Sequence, residues 1–169
     1  NYGTISGPNN AIGSAANNAR FTNRTGGAVD GSINLGDGDD AIILEPGSVI
    51  TGGINGGGGS NTLTLQSGSS SDDTLSPLIS NFRAITKDEP GQWALTGALT
   101  NIQTILINSG ILKLSGDNRN FIGTVTILPS AALEAKSYSL PSGGVTNNGT
   151  LTFTDAASDG GSGEVSAYI

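Results

Sequence analysis

Along this chain, apolar side chains recur at every second position in short runs, and Gly, Asn, Ser or Asp bounds each run. Thr104-Ile105-Leu106-Ile107 and Thr124-Val125-Thr126-Ile127 show the pattern, as do Leu112-Lys113-Leu114, Leu133-Glu134-Ala135 and Leu151-Thr152-Phe153. Alternation at period two turns one set of side chains inward and the other toward water, which is the behaviour of a half-buried strand. The pattern predicts many short strands joined by tight turns.

The runs are also copies of one another. Pro46 to Leu65 (PGSVITGGINGGGGSNTLTL) lies over Thr25 to Leu44 (TGGAVDGSINLGDGDDAIIL) at a shift of 21, with no gap. Val29 then meets Ile50, Ile33-Asn34 meets Ile54-Asn55, Ile42 meets Leu63 and Leu44 meets Leu65. In the second half Ile105 meets Val125 and Ile107 meets Ile127 at a shift of 20, and Leu112 meets Leu133 at 21. A unit this short cannot bury its own apolar face, so successive copies must stack. Propeller blades need about 40 residues, and leucine-rich repeats need a signature that is missing. The fold class expected is therefore all-β, a single right-handed parallel β-helix with coils of roughly 20 residues. Stacking at about 4.8 Å gives roughly eight rungs and a rod of about 40 Å.

Each aligned pair should form part of an internal column, with Asn34 and Asn55 at equivalent turns. There an Asn tolerates left-handed backbone and pairs its amide with that of the next rung. Leu75, Leu78, Ile79, Phe82 and Ile85 break the period and fall at helical spacing. A short helical turn is expected near Pro77 to Ser80, then a strand from Arg83 to Lys87. Ser67 to Asp73 (SGSSSDD) reads as a protruding loop. The whole chain, 1–169, reads as one β-helix: regular Gly/Asp-turn rungs over 1–66, an irregular rung with its loop over 67–90, and a last set over 91–169.

Composition narrows the chemistry. Gly contributes 27 of 169 residues without a three-residue period, which excludes collagen. Charged residues are only 12% of the chain, with a net charge of -7 and 7 basic side chains. Nucleic acid and anionic membrane surfaces are poor partners for such a surface. Cys and His are absent, which removes thiolate chemistry, zinc–sulfur sites and the commonest catalytic base. No apolar run is long enough for a spanning helix, so membrane insertion of this segment is not expected. The chain opens at Asn1-Tyr2 without a leader and stops at Ser166-Ala167-Tyr168-Ile169 without a closing cap, so both ends are expected to be cuts in a longer protein.

Leu78 to Gly97 (LISNFRAITKDEPGQWALTG), followed by Ser109-Gly110-Ile111-Leu112-Lys113-Leu114-Ser115-Gly116-Asp117-Asn118, resembles the passenger of type V bacterial autotransporters. Such passengers carry an I-x-N-F strand, a G-x-W-x-L-x-G rung and then G-x-L-x-L-S-G-x-N. Phe121-Ile122-Gly123-Thr124-Val125 and Val145-Thr146-Asn147-Asn148-Gly149-Thr150-Leu151 resemble the passenger-associated transport repeat of the same proteins. The likeness covers about residues 78 to 154, and its specificity lies in the order of the motifs. Pro90 departs from the family pattern before Gly91-Gln92-Trp93, which reads as a local turn change. The resemblance implies a secreted or cell-surface protein whose own C-terminal outer-membrane barrel lies outside this chain. Residues 91–169 would be an autochaperone region, and a host receptor or glycan would be the partner.

Four constellations bear on chemistry. Leu35-Gly36-Asp37-Gly38-Asp39-Asp40-Ala41-Ile42 is close to a calcium nonapeptide turn, but its copy at Gly56 to Thr64 carries Asn61 where the ligand Asp belongs. Gly and Asp are also good turn residues, and that is the reading preferred. Asp37, Asp39 and Asp40, or Asp72 and Asp73, could serve as paired carboxylates in a sugar-cleaving β-helix, yet no aromatic or basic cluster accompanies them. Trp93 reads as a core or end-covering residue rather than a binding platform. Asn23-Arg24-Thr25 and Asn148-Gly149-Thr150 fit the glycan acceptor pattern, which a bacterial source would make accidental. The expectation is a scaffold and not an enzyme, with no catalytic, cofactor-binding or metal-binding residue and no cofactor. A calcium-binding nonapeptide-repeat protein and a carbohydrate-active β-helix are the alternatives.

Overall fold

A computed structural model describes residues 1–14, 16–69 and 72–155. The strands run in chain order as Thr4–Gly13 (β1), Arg20–Asn23 (β2), Ala28–Asn34 (β3), Ala41–Leu44 (β4), Val49–Ile50 (β5), Ile54–Asn55 (β6), Thr62–Gln66 (β7) and Asp72–Leu75 (β8). They continue as Ile79–Asp88 (β9), Gln92–Leu95 (β10), Leu99–Ile107 (β11), Gly110–Leu114 (β12), Thr124–Ile127 (β13), Ala131–Ala135 (β14), Val145–Asn147 (β15) and Thr150–Phe153 (β16). Among the described residues there is no α-helix, only a 3-10 turn at Ser137–Ser139.

Every strand pairing is parallel, and together the strands wind a β-solenoid of about seven turns. One sheet of eleven strands runs from β1 to β15, and a second of five holds β8, β10, β12, β14 and β16. The internal copies lie directly over one another. Phe21, Ile42, Leu63, Ile85, Ile105, Val125 and Val145 are successive partners in one column. Ile12, Ile33, Ile54, Ile79 and Leu99 form a second. Trp93, Leu112, Leu133 and Leu151 form a third. From Val29 to Val145 these positions are shut off from water and make one continuous apolar core.

Corners are set by backbone handedness. Gly26, Gly47, Gly68, Glu89 and Gly110 recur every 21 residues, with φ of 73°, 74°, 58°, 69° and 71°. Glycine enters that region freely, whereas a side chain there costs about 1–2 kcal/mol. At the Gly-Asp turn handedness and crowding act together: Gly57 has a φ of 81°, and a Cβ on it would also meet the carbonyl O of Gly36 at 1.8 Å.

Several expectations need correction. The turns number about seven rather than eight, because the described coils take 20 to 22 residues each and residues 156–169 lie outside the described part. No helix forms at Pro77 to Ser80. Ile79 already begins β9, and the strand expected at Arg83–Lys87 is the second half of the same element. Ile79, Phe82 and Ile85 all point inward because Asn81, at φ 61°, turns a corner within an extended chain. Leu99, Ile102 and Ile105 repeat the spacing around Asn101, at φ 53°. The loop expected over 67–73 is shorter, since Asp72 and Asp73 belong to β8; Ser70 and Ser71 lie outside the described residues. Asn34 and Asn55 do stack in register, but in strands, and the left-handed positions fall to Asn81 and Asn101. An amide ladder does form, in two pieces, one joining Asn55, Asn81 and Asn101 and the other Asn34 and Asn10. Asn101 Nδ2 donates to Asn81 Oδ1 at 3.0 Å, Asn81 Nδ2 donates to Asn55 Oδ1 at 2.7 Å, and Asn34 Nδ2 donates to Asn10 Oδ1.

Candidate functional site

The Asp turn between β3 and β4 is built from backbone demands. In a solenoid corner the ladder breaks, and amide N–H groups of one coil need acceptors from another. Asp40 supplies one: its Oδ1 accepts the N–H of Ala19 at 2.6 Å. Asn61, one coil later, does the same for Asp40, accepting its N–H at Oδ1 at 2.9 Å. Asp39 accepts the N–H of Ser60 at 2.7 Å, and Asn18 accepts that of Asp39 at 2.9 Å. An Asp and an Asn are thus interchangeable in this corner, because the bond needs an oxygen and not a charge. That explains why the second copy carries Asn61. Among the described residues no group of three Asp or Glu side chains converges on a point that could hold a metal ion.

Asp72 and Asp73 do not form a pair. Neighbours on a strand point to opposite faces, and here Asp72 is exposed while Asp73 is buried. Asp73 Oδ1 accepts the N–H of Gly47 at 2.7 Å, and its Oδ2 is buried without a hydrogen-bond partner, as is that of Asp40. Trp93 packs inward over Asp73, fully buried, and its indole N–H donates to the carbonyl O of Gln66 at 2.9 Å. Of the two acceptor-like asparagines, Asn23 is buried and donates to Gly27 O, whereas Asn148 is exposed.

Two shallow concavities mark the outer surface. Ser6, Gly7, Pro8, Asp30 and Gly31 line one of about 300 Å³. Asn101, Ile102, Gln103, Ile122, Gly123 and Thr124 line the other, of about 510 Å³, where Ile122 is 76% exposed. Neither contains Asp37, Asp39, Asp40, Asp72 or Asp73.

No protein-family model, no curated protein and no solved structure matches this chain. Among the described residues no helix is long and apolar enough to cross a membrane. Among the described residues the exposed faces are mostly neutral, and the three ion pairs, Arg24–Glu45, Lys113–Glu134 and Arg119–Asp117, lie at the surface.

One feature of the interior was not foreseen. Lys87 stands in the column between Leu65 and Ile107, with no exposure to solvent. Extending the column alignment by one coil would have found it, since Lys87 is in phase with Ile85 and with Ile107. Helical spacing upstream of it hid that phase.

Proposed function

We propose that this chain is part of an autotransporter passenger: an extracellular β-helical scaffold that presents its loops to a host receptor or glycan, and whose C-terminal rungs nucleate folding during export. The observation that carries the reading is the unbroken parallel stack, in register through the region where the passenger-like motifs occur in order. A lone coil cannot repay the ordering of some twenty residues, at about 1–2 kcal/mol each for the backbone. Added to an existing coil, it gains ladder hydrogen bonds and buries side chains such as Leu99, Ile102, Ile105 and Ile107, each worth about 1.5–3 kcal/mol. Growth from a template is therefore downhill while nucleation is not. A nucleus in the part of the chain that follows residue 91 would convert that asymmetry into directional export, since each added coil opposes back-sliding.

Export tests the reading. The chain is placed upstream of an outer-membrane barrel in a bacterium, and surface display is scored by external protease. Ile105→Ala and Ile127→Ala are expected to stall display, while Ile42→Ala passes. Equal display of all three would refute the nucleation role.

A further inference from the structure

A polar layer interrupts the aliphatic interior at one level. Lys87 Nζ donates to the carbonyl O of Asp88 at 2.9 Å, of Glu89 at 2.7 Å and of Ser109 at 3.2 Å. The first two lie in its own coil and the third in the next, so Nζ bridges the coil of β8 and β9 to that of β10 and β11, and a neutral amine keeps two of its N–H donors for that bridge. Glu89 is the one residue of the left-handed corner column that is not glycine, and its Oε2 accepts the N–H of Gly68 at 2.6 Å. Asp88 accepts from Asn108 Nδ2 at 2.5 Å. From β8, Asp73 faces inward with one carboxylate oxygen unpartnered. None of the described ion pairs includes Lys87.

Taking an ammonium out of water without an ion partner is unfavourable. Asp88 on its own strand, Glu89 at the corner that follows and Asp73 on β8 pull the other way. Burial prevails and brings the Lys87 pKa down from 10.5 to about 8. The folded coil thus sheds this proton before the unfolded chain does. Its penalty is fully present below about pH 8 and is relieved as pH rises toward 10.5.

We propose that this layer is a proton-controlled joint in the rod, weakest while Lys87 carries its charge and firmest once the proton has left to solvent. The joint does not depend on the export reading, since it follows from the buried layer alone.

Trp93 is a built-in reporter, being the only tryptophan, fully buried, and bonded across the same level to Gln66. Urea unfolding of the whole chain, followed by Trp93 emission, is compared at about pH 7 and about pH 9.5. The unfolding equilibrium constant is expected to fall about 25-fold, and Lys87→Met is expected to abolish the change. A wild-type chain indifferent to pH, or a Lys87→Met chain with the same response, overturns the joint. Should the variant not fold, the wild-type chain answers by NMR of its three ¹⁵N-labelled lysine side chains. One Nζ titrating near pH 8 supports the joint, and all three titrating above about 10 overturn it.

Discussion

At the scale of single residues, the polar groups of this rod act as substitutes for missing ladder bonds. Asp40 makes the point, since its Oδ1 serves a backbone N–H while its Oδ2 is buried and unpartnered. Replacing the carboxylate by an amide keeps the acceptor and removes a buried charge. Asp40→Asn is therefore expected to stabilise the chain by about 1 kcal/mol, whereas Asp40→Ala, which orphans the N–H of Ala19, should destabilise by about 1–3 kcal/mol. Urea titrations at neutral pH measure both. A destabilised Asp40→Asn would show that the charge itself is needed, as a cation ligand would require. By the same reasoning the melting temperature is expected to be the same with millimolar calcium as with chelator, and a steep rise with calcium would restore the nonapeptide-repeat alternative.

At the scale of strands and coils, what could be read from the sequence was what obeys a fixed period. Ile33 over Ile54, Leu44 over Leu65 and Leu112 over Leu133 follow from repeat alignment alone, because a shift of one residue would turn every apolar side chain outward. What escaped was set by backbone handedness, which has no apolar signature. Asn81 and Asn101 each take a left-handed conformation, so inward residues fall three apart and imitate a helix. The buried Lys87 escaped for the same reason. Corner residues are thus as specific as core residues. Asn81→Gly should cost only the amide ladder to Asn55 and Asn101, within about 1–2 kcal/mol. Asn81→Val should cost more, because a β-branched side chain is strained at positive φ. Equal losses, measured by thermal unfolding, would mean that the ladder rather than the handedness governs the corner.

At the scale of the whole molecule, a seven-turn stack is nearly one-dimensional, and each coil pairs its strands with those of the coils above and below. Stability is then shared along the rod, while the order of folding need not be. Ile42 and Ile105 occupy the same column three coils apart, both fully buried, so truncating either to Ala should cost a similar amount, about 2–5 kcal/mol. Their kinetic effects should differ if folding starts in the later coils. Loss of a side chain in the nucleus slows refolding, and loss elsewhere speeds unfolding. Ile105→Ala is therefore expected to move the refolding arm of a urea chevron followed by Trp93, and Ile42→Ala to move the unfolding arm. The opposite assignment would place the nucleus in the first coils, so that a chain drawn out C-terminus first would meet its template last, and rung-by-rung growth could not drive export.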